Sequence, residues 1–252
     1  MKYLIFASVA VALLVPSLAL GGSAGNPASN VGKENFGCSF EIENQVKSVD
    51  QDLTTSKRWL GKLTWGATDR IDIYAKLGAS DLRVDVASTQ DYEGKRGMTW
   101  GGGARCMVAE IEQPKIASYM DLQMLSFHTN GTVWKSFESD GYVERYDNSY
   151  KWNEVQFSFI AVWQREIFTP YMGFGITNVF GNVEKTVYRI SGNVGEFYDH
   201  RTNDFREDAI PELILGVDFG VGGTGHLSGE IRYSEEEDIS FFIGASELWH
   251  LK

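Results

Sequence analysis

Cysteine is almost missing from this sequence: Cys38 and Cys106 are the only two, and neither belongs to a C-x-x-C pair of the metal-binding kind. Histidine is nearly as scarce, with four residues and no cluster, so no metal site is read. Five prolines against 27 glycines and 13% aromatic residues suit strands and turns better than helices. Positive charge is also short. Lys and Arg total 23 against 34 Asp and Glu, a formal net charge of -11, which excludes nucleic acid as a partner. After residue 20 there is no long apolar run, which excludes a later membrane-spanning helix.

What is present begins with an export signal. Met1 and Lys2 precede an apolar run from Tyr3 to Leu20 and then Gly21, Gly22, Ser23, Ala24 and Gly25, the order of a secretory signal peptide cut after Ala24. Pro16 inside the run, and the lack of a basic stop-transfer cluster after it, count against a retained helix. No Cys follows the run, which argues against a lipoprotein. Residues 25–37 are polar and small and are expected to form a flexible lead-in, and residues 38–252 a single domain. An exported acidic chain of this kind is either soluble or a barrel.

The pattern beyond Ser39 alternates apolar and polar residues with period two, as a strand does when its faces meet different media. Ten strands are predicted, over residues 39–48, 57–67, 70–87, 98–110, 115–129, 151–163, 168–180 and 209–221, around Leu227 to Tyr233, and from Asp238. In the third, Ile71, Ile73, Ala75 and Leu77 are apolar at odd positions but Leu82, Val84 and Val86 at even ones. A β-bulge near Gly78 is expected from that change of parity. Short connections follow the second, fourth, sixth and eighth strands, while long polar loops, 130–150 and 181–208 among them, gather at the other end. Short turns on one side, long loops on the other and an even strand count are the layout of an antiparallel transmembrane β-barrel with both ends of the chain on the short-turn side.

One face of these strands is apolar over a bilayer-sized length. Trp59, Trp65, Trp100, Trp152, Trp163, Tyr233 and Trp249 fall near strand ends or on that face, as an interfacial girdle requires. The other face carries Lys62, Asp72, Lys76, Arg83, Asp85, Arg105, Asp121, Glu154, Glu212, Asp218, Glu230 and Arg232, the candidate lumen lining. Enclosed in a narrow barrel, these charges form a network that either plugs the lumen or leaves a thin cation-preferring path. In a soluble sandwich or lipocalin-like barrel the same face would be exposed and the apolar side chains would fill a core. Cys38 and Cys106 lie on separate strands, both on the outward parity, and are read as unpaired.

The short turns such as Thr68-Asp69, the pairs Trp65-Gly66, Trp100-Gly101, Phe174-Gly175 and Phe219-Gly220, and the final alternating strand resemble the small outer-membrane β-barrel proteins of Gram-negative bacteria. The resemblance covers about Gly37 to Trp249 and implies an outer-membrane location, surrounding lipid as the constant partner and the barrel-assembly machinery during biogenesis. The chain departs from that class at its end, where Trp249 is followed by His250, Leu251 and Lys252.

Catalytic constellations are thin. Ser126 and His128 lie two apart on an outward face, loosely similar to the outer-membrane phospholipase, but the surrounding motif is missing. Asp199-His200 is loosely similar to the acid and His of the omptin proteases, which also need an Asp-Asp pair that this chain lacks. Glu235, Glu236, Glu237 and Asp238 form an acidic connector, and Gly101 to Gly103 lie in a strand with no following helix, so no phosphate loop and no cofactor is read. The expectation is a non-enzymatic barrel, structural or a narrow porin-like channel, with a surface-binding role for the long loops as the alternative.

Overall fold

The computed structural model describes residues 31–49, 52–85, 92–137, 142–165, 167–191, 194–221, 224–234 and 239–249; the signal-peptide reading of residues 1–24 lies outside the described residues. Strands β1 (Phe36–Val49), β2 (Asp52–Gly66), β3 (Ile71–Ser80), β4 (Arg83–Asp85), β5 (Tyr92–Glu93), β6 (Gly97–Ile111), β7 (Ile116–Phe137), β8 (Tyr142–Trp163), β9 (Phe168–Ser191), β10 (Val194–Gly220), β11 (Gly225–Ser234) and β12 (Ile239–Trp249) form one sheet. Ten of them close an antiparallel ring in chain order, with β12 pairing back onto β1 from Phe36↔Trp249 to Asn44↔Phe241. The short β4 pairs with β2, and β5 with β4. Closure leaves no sheet edge within the ring, the condition a strand structure must meet in lipid, where no water can satisfy backbone groups.

The outward face is greasy and uncovered. Leu63, Leu77, Leu122, Phe174, Leu213 and Ile231 are all exposed on it. At the short-turn end Trp65, Trp163 and Trp249 are exposed outward, and Phe168 packs against Phe219 with ring centroids 5.9 Å apart. Trp100 and Tyr233 ring the opposite end of the band. Trp152 is not part of this girdle. It points inward, 2% exposed, against Phe127, Leu82 and Val179. Cys38 on β1 and Cys106 on β6 are both free.

The bulge expected near Gly78 is absent. Strand β2 pairs Arg58↔Ser80 and, further out, Thr55↔Arg83. Three residues on one strand are matched by three on the other, so no residue is inserted. Even-numbered residues stay inward throughout: Asp72, Tyr74, Lys76, Ser80, Leu82 and Val84 are all buried. What changes is the medium. Beyond Ser80 the outer wall leaves lipid for water, so charge moves outside and apolar side chains close the interior. True irregularities lie elsewhere: in β6 between Met107 and Ala109, and in β10 at Phe197/Asp199 and Glu207/Ile210. At the last of these Ala209 takes φ 59 and its N–H donates to Asn178 Oδ1 at 2.6 Å.

The long loops expected over 130–150 and 181–208 are strand for most of their length. Strands β7 and β8 pair without a break out to Phe137↔Tyr142 and β8 and β9 out to Val143↔Ile190, while β9 and β10 pair out to Val194↔Ser191 across the two irregularities of β10. A four-stranded sheet therefore stands above the rim. Both of its faces meet water, which removes the apolar alternation that marks strands in lipid. The lead-in, expected to be flexible, is held from Val31 onward: Val31 is buried, its N–H reaches Asp72 Oδ2 at 3.4 Å, and Glu34 N donates to Gly66 O at 2.8 Å.

Side-chain size inside the ring is matched to glycines. A Cβ on Gly216 would stand 2.1 Å from the Tyr171 ring, whose hydroxyl donates to Glu230. Gly216→Val is expected to displace that ring and lose about 1–3 kcal/mol of barrel stability, read as a lower urea midpoint in lipid vesicles.

Candidate functional site

The inward face presents eight carboxylates, Glu41, Glu43, Asp72, Asp121, Glu154, Glu212, Asp218 and Glu230, and six cations, Lys47, Arg58, Lys62, Lys76, Arg105 and Arg232, every one of them buried. Alternation on tilted strands brings their heads to the axis. Glu154 on β8 is the hub: Arg58 Nη2 donates to Oε2 at 3.0 Å, Gln45 Nε2 to Oε1 at 3.0 Å, and Lys47 Nζ stands 3.7 Å away. From there the network passes through Lys47 to Glu212 at 3.1 Å, Glu212 to Arg232 at 2.9 Å and Arg232 to Glu230 at 2.6 Å. On the other side Lys76 bridges Glu41 at 2.7 Å and Glu43 at 3.7 Å, while Lys62 lies 4.3 Å over the Tyr74 ring. Tyr74 donates to Asp121 at 2.7 Å, and Arg105 meets the same carboxylate at 3.3 Å.

Strand β1 and strand β8 are on opposite sides of the ten-membered ring, five neighbours apart either way. The contacts from Gln45 and Lys47 to Glu154 therefore span its full diameter. Apolar clusters lie inside the ring on each side of the ionic middle. Leu82, Val84, Tyr92, Phe127, Trp152 and Val179 form the cluster under the projecting sheet. Ala117, Tyr119, Ile160, Val162, Tyr171 and Ile214 form the one nearer the short turns.

Ten of the twelve residues expected in the lumen are there: Lys62, Asp72, Lys76, Arg105, Asp121, Glu154, Glu212, Asp218, Glu230 and Arg232. Arg83 and Asp85 are not. They face out above the membrane and pair with each other at 2.8 Å, because β4 continues the register of β3 unbulged. Glu41, Glu43, Gln45, Lys47 and Arg58 line the lumen as well and are not among the twelve expected residues; the first three alternate with Phe40, Ile42 and Val46, a signal the sequence does carry. Lys47 continues their period, and Arg58 is the direct partner of Glu43 in the register of β1 with β2.

The projecting sheet carries a second set of polar groups. Arg189 donates to Glu144 Oε1 at 3.1 Å and lies between the rings of Tyr142 and Tyr198, 4.2 and 4.1 Å from their centres. The Tyr146 hydroxyl donates to Glu144, and this bond, helped by Arg189, holds the Glu144 carboxyl below the usual carboxylate range. Tyr146 itself is pushed up to about 12 by burial and by the Glu144 carboxylate. A raised phenol favours the folded, neutral form below its ordinary value near 10 and loses that contribution as pH rises toward 12. Faster amide exchange in residues 142–146 above pH 10, before the embedded strands respond, is the expected result.

The catalytic candidates do not assemble. Ser126 donates to Asn153 Oδ1 at 2.9 Å and His128 meets Ser149 at 2.7 Å, so each has a separate partner. His200 contacts Thr186 at 3.1 Å on one face of the sheet, while Asp199 takes Arg201 on the other. Glu235 to Asp238 lie outside the described residues.

Closed ring, outward apolar band, aromatic girdles and enclosed charge define a transmembrane β-barrel of the outer-membrane type. Its girdled band places the chain in that membrane. No protein-family model matches the sequence, and no curated protein matches it. Among solved structures it is similar to the translocator domain of the autotransporter NalP from Neisseria meningitidis, with TM-score 0.52 and 8% identity over 99% of this chain and 97% of that one. It also matches the toluene transporter TodX of Pseudomonas putida (TM-score 0.46, 12% identity, 94% and 74% covered) and the outer membrane protease OmpT of Escherichia coli (0.38, 11%, 90% and 99%). The likeness is one of fold.

Proposed function

We propose that this protein is a structural, non-conducting and non-enzymatic outer-membrane barrel, a closed anchor that holds the four-stranded sheet of β7 to β10 outside the bilayer. The supporting observation is the crossing of the lumen at its middle, where Gln45 and Lys47 on β1 meet Glu154 on β8. A path for hydrated ions would have to break charge-assisted bonds between groups that are at most 3% exposed. Surrounding lipid is the constant partner, and the barrel-assembly machinery acts during biogenesis.

The competing reading is a narrow porin-like channel. In planar bilayers the refolded protein is expected to hold the membrane current at background. Reproducible unitary current steps from the unsubstituted protein would overturn the closed-anchor reading. The surface-binding alternative is favoured to the extent that the sheet offers a shaped face, and that face has a chemistry of its own.

A further inference from the structure

The outward face of the projecting sheet carries one continuous row across all four strands. Trp134 on β7 is the direct partner of Arg145 on β8, Arg145 of Tyr188 on β9, and Tyr188 of Phe197 on β10. The Arg145 guanidinium lies 6.0 Å from the Trp134 ring centre and 4.9 Å from that of Tyr188. Tyr188 and Phe197 meet edge to face at 6.2 Å. Although no lipid lies at this height, Trp134 is 50% and Phe197 62% exposed. The row beneath is polar: Thr132 donates to Asp147, Arg145 pairs with Asp147, and Thr186 meets His200 at 3.1 Å. Between Thr132, Arg145, Asp147, Ser149, Glu184 and Thr186 the surface sinks into an open depression of about 360 Å³.

Flat aromatic rings beside a row of hydrogen-bonding side chains complement a sugar, whose ring has an apolar C–H face and a rim of hydroxyls. Trp134 and Tyr188 are two strands apart, about 10 Å, which is the scale of a disaccharide. Position selects the source. Trp134 lies ten residues beyond Met124, where the outward apolar run of β7 through Met120 and Leu122 ends, hence roughly 25 Å above the hydrocarbon along tilted strands. This face continues the lipid-facing wall of the barrel, so what stands against it is the carbohydrate attached to neighbouring lipids.

We propose that the Trp134–Arg145–Tyr188–Phe197 row is a binding surface for the oligosaccharide chains of the surrounding outer-leaflet glycolipid. The proposal rests on the sheet standing outside the membrane, not on the lumen being closed. A protein that conducted current yet bound glycan would overturn only the closed-anchor reading.

The test uses the full-length protein folded in detergent, with core oligosaccharide released from lipopolysaccharide as the probe, followed by saturation-transfer NMR and titration calorimetry. Saturation transfer to the sugar C–H protons is expected, with an affinity reduced about tenfold or more in Trp134→Ala and in Tyr188→Ala. Tyr142→Ala on the opposite face is expected to bind as the unsubstituted protein does. Unchanged heat-modifiable gel mobility shows that each variant has folded, and Trp134→Phe, which keeps a ring, is expected to retain most of the binding. Any of three results overturns the proposal: no transfer to the oligosaccharide, the same affinity in the Trp134 and Tyr188 variants, or equal affinity for a neutral soluble glucan.

Discussion

Replacing Glu154 by Ala is expected to cost about 3–5 kcal/mol of barrel stability, the largest effect of any single lumen substitution. Glu154 accepts from Arg58 and Gln45 and lies within reach of Lys47, and all four side chains are buried. Removing the carboxylate takes from the Arg58 guanidinium its nearest anion and leaves it Glu43 at 3.7 Å, while Lys47 keeps Glu212 at 3.1 Å, so the buried middle loses one of its negative charges and keeps both cations. Whether the intact network is worth more than a well-packed apolar filling is a separate matter, because burying ions costs nearly what their attraction returns. The asymmetry lies in breaking it. Glu154→Gln keeps the shape and one acceptor and is expected to lose less. Urea titration in lipid vesicles, followed by tryptophan emission, measures both; an Ala variant within 1 kcal/mol of the parent would show that the hub does not hold the lumen together.

An arginine placed at Leu122 is expected to be nearly as damaging, about 2–4 kcal/mol, provided the wall at that level faces hydrocarbon. Leu122 is exposed at mid-height on β7, between the girdles. The reverse change above the membrane, Arg83→Leu, is expected to stay within about 0.5 kcal/mol, since Arg83 and Asp85 form an exposed surface pair. Together the two variants locate the lipid boundary on adjoining parts of the barrel wall. Comparable costs at Leu122 and Arg83 would contradict the boundary drawn here.

The sequence discloses most of the ring because lipid outside and charge inside impose opposite chemistry on alternate residues. Ten strands, their order and ten lumen residues follow from that contrast. Where the contrast changes, the reading loses its footing. At Leu82 an inversion of chemistry mimics an inversion of geometry, and periodicity cannot distinguish a new medium from an inserted residue. Over 130–150 and 181–208 both faces meet water, so strands read as loops. Trp152 was misassigned for a different reason: its parity with Glu154 and Gln156 points inward, but its position near a strand end outweighed that parity. The row from Trp134 to Phe197 joins residues that are neighbours only through three registers, none of which can be drawn until the hairpins are known to run unbroken.

The first hairpin holds Gln45, Lys47 and Arg58, every side chain that bonds or pairs with the Glu154 carboxylate in the described network. It is also where the ring finally joins, β1 against β12. Backbone zipping at this seam and dehydration of the charges are thus a single event. The hairpin acts as a keystone: until it drops into place the wall has an unmatched rim and the far carboxylates stay wet, and afterwards neither is true. Assembly of such a cylinder has little to gain from stopping halfway.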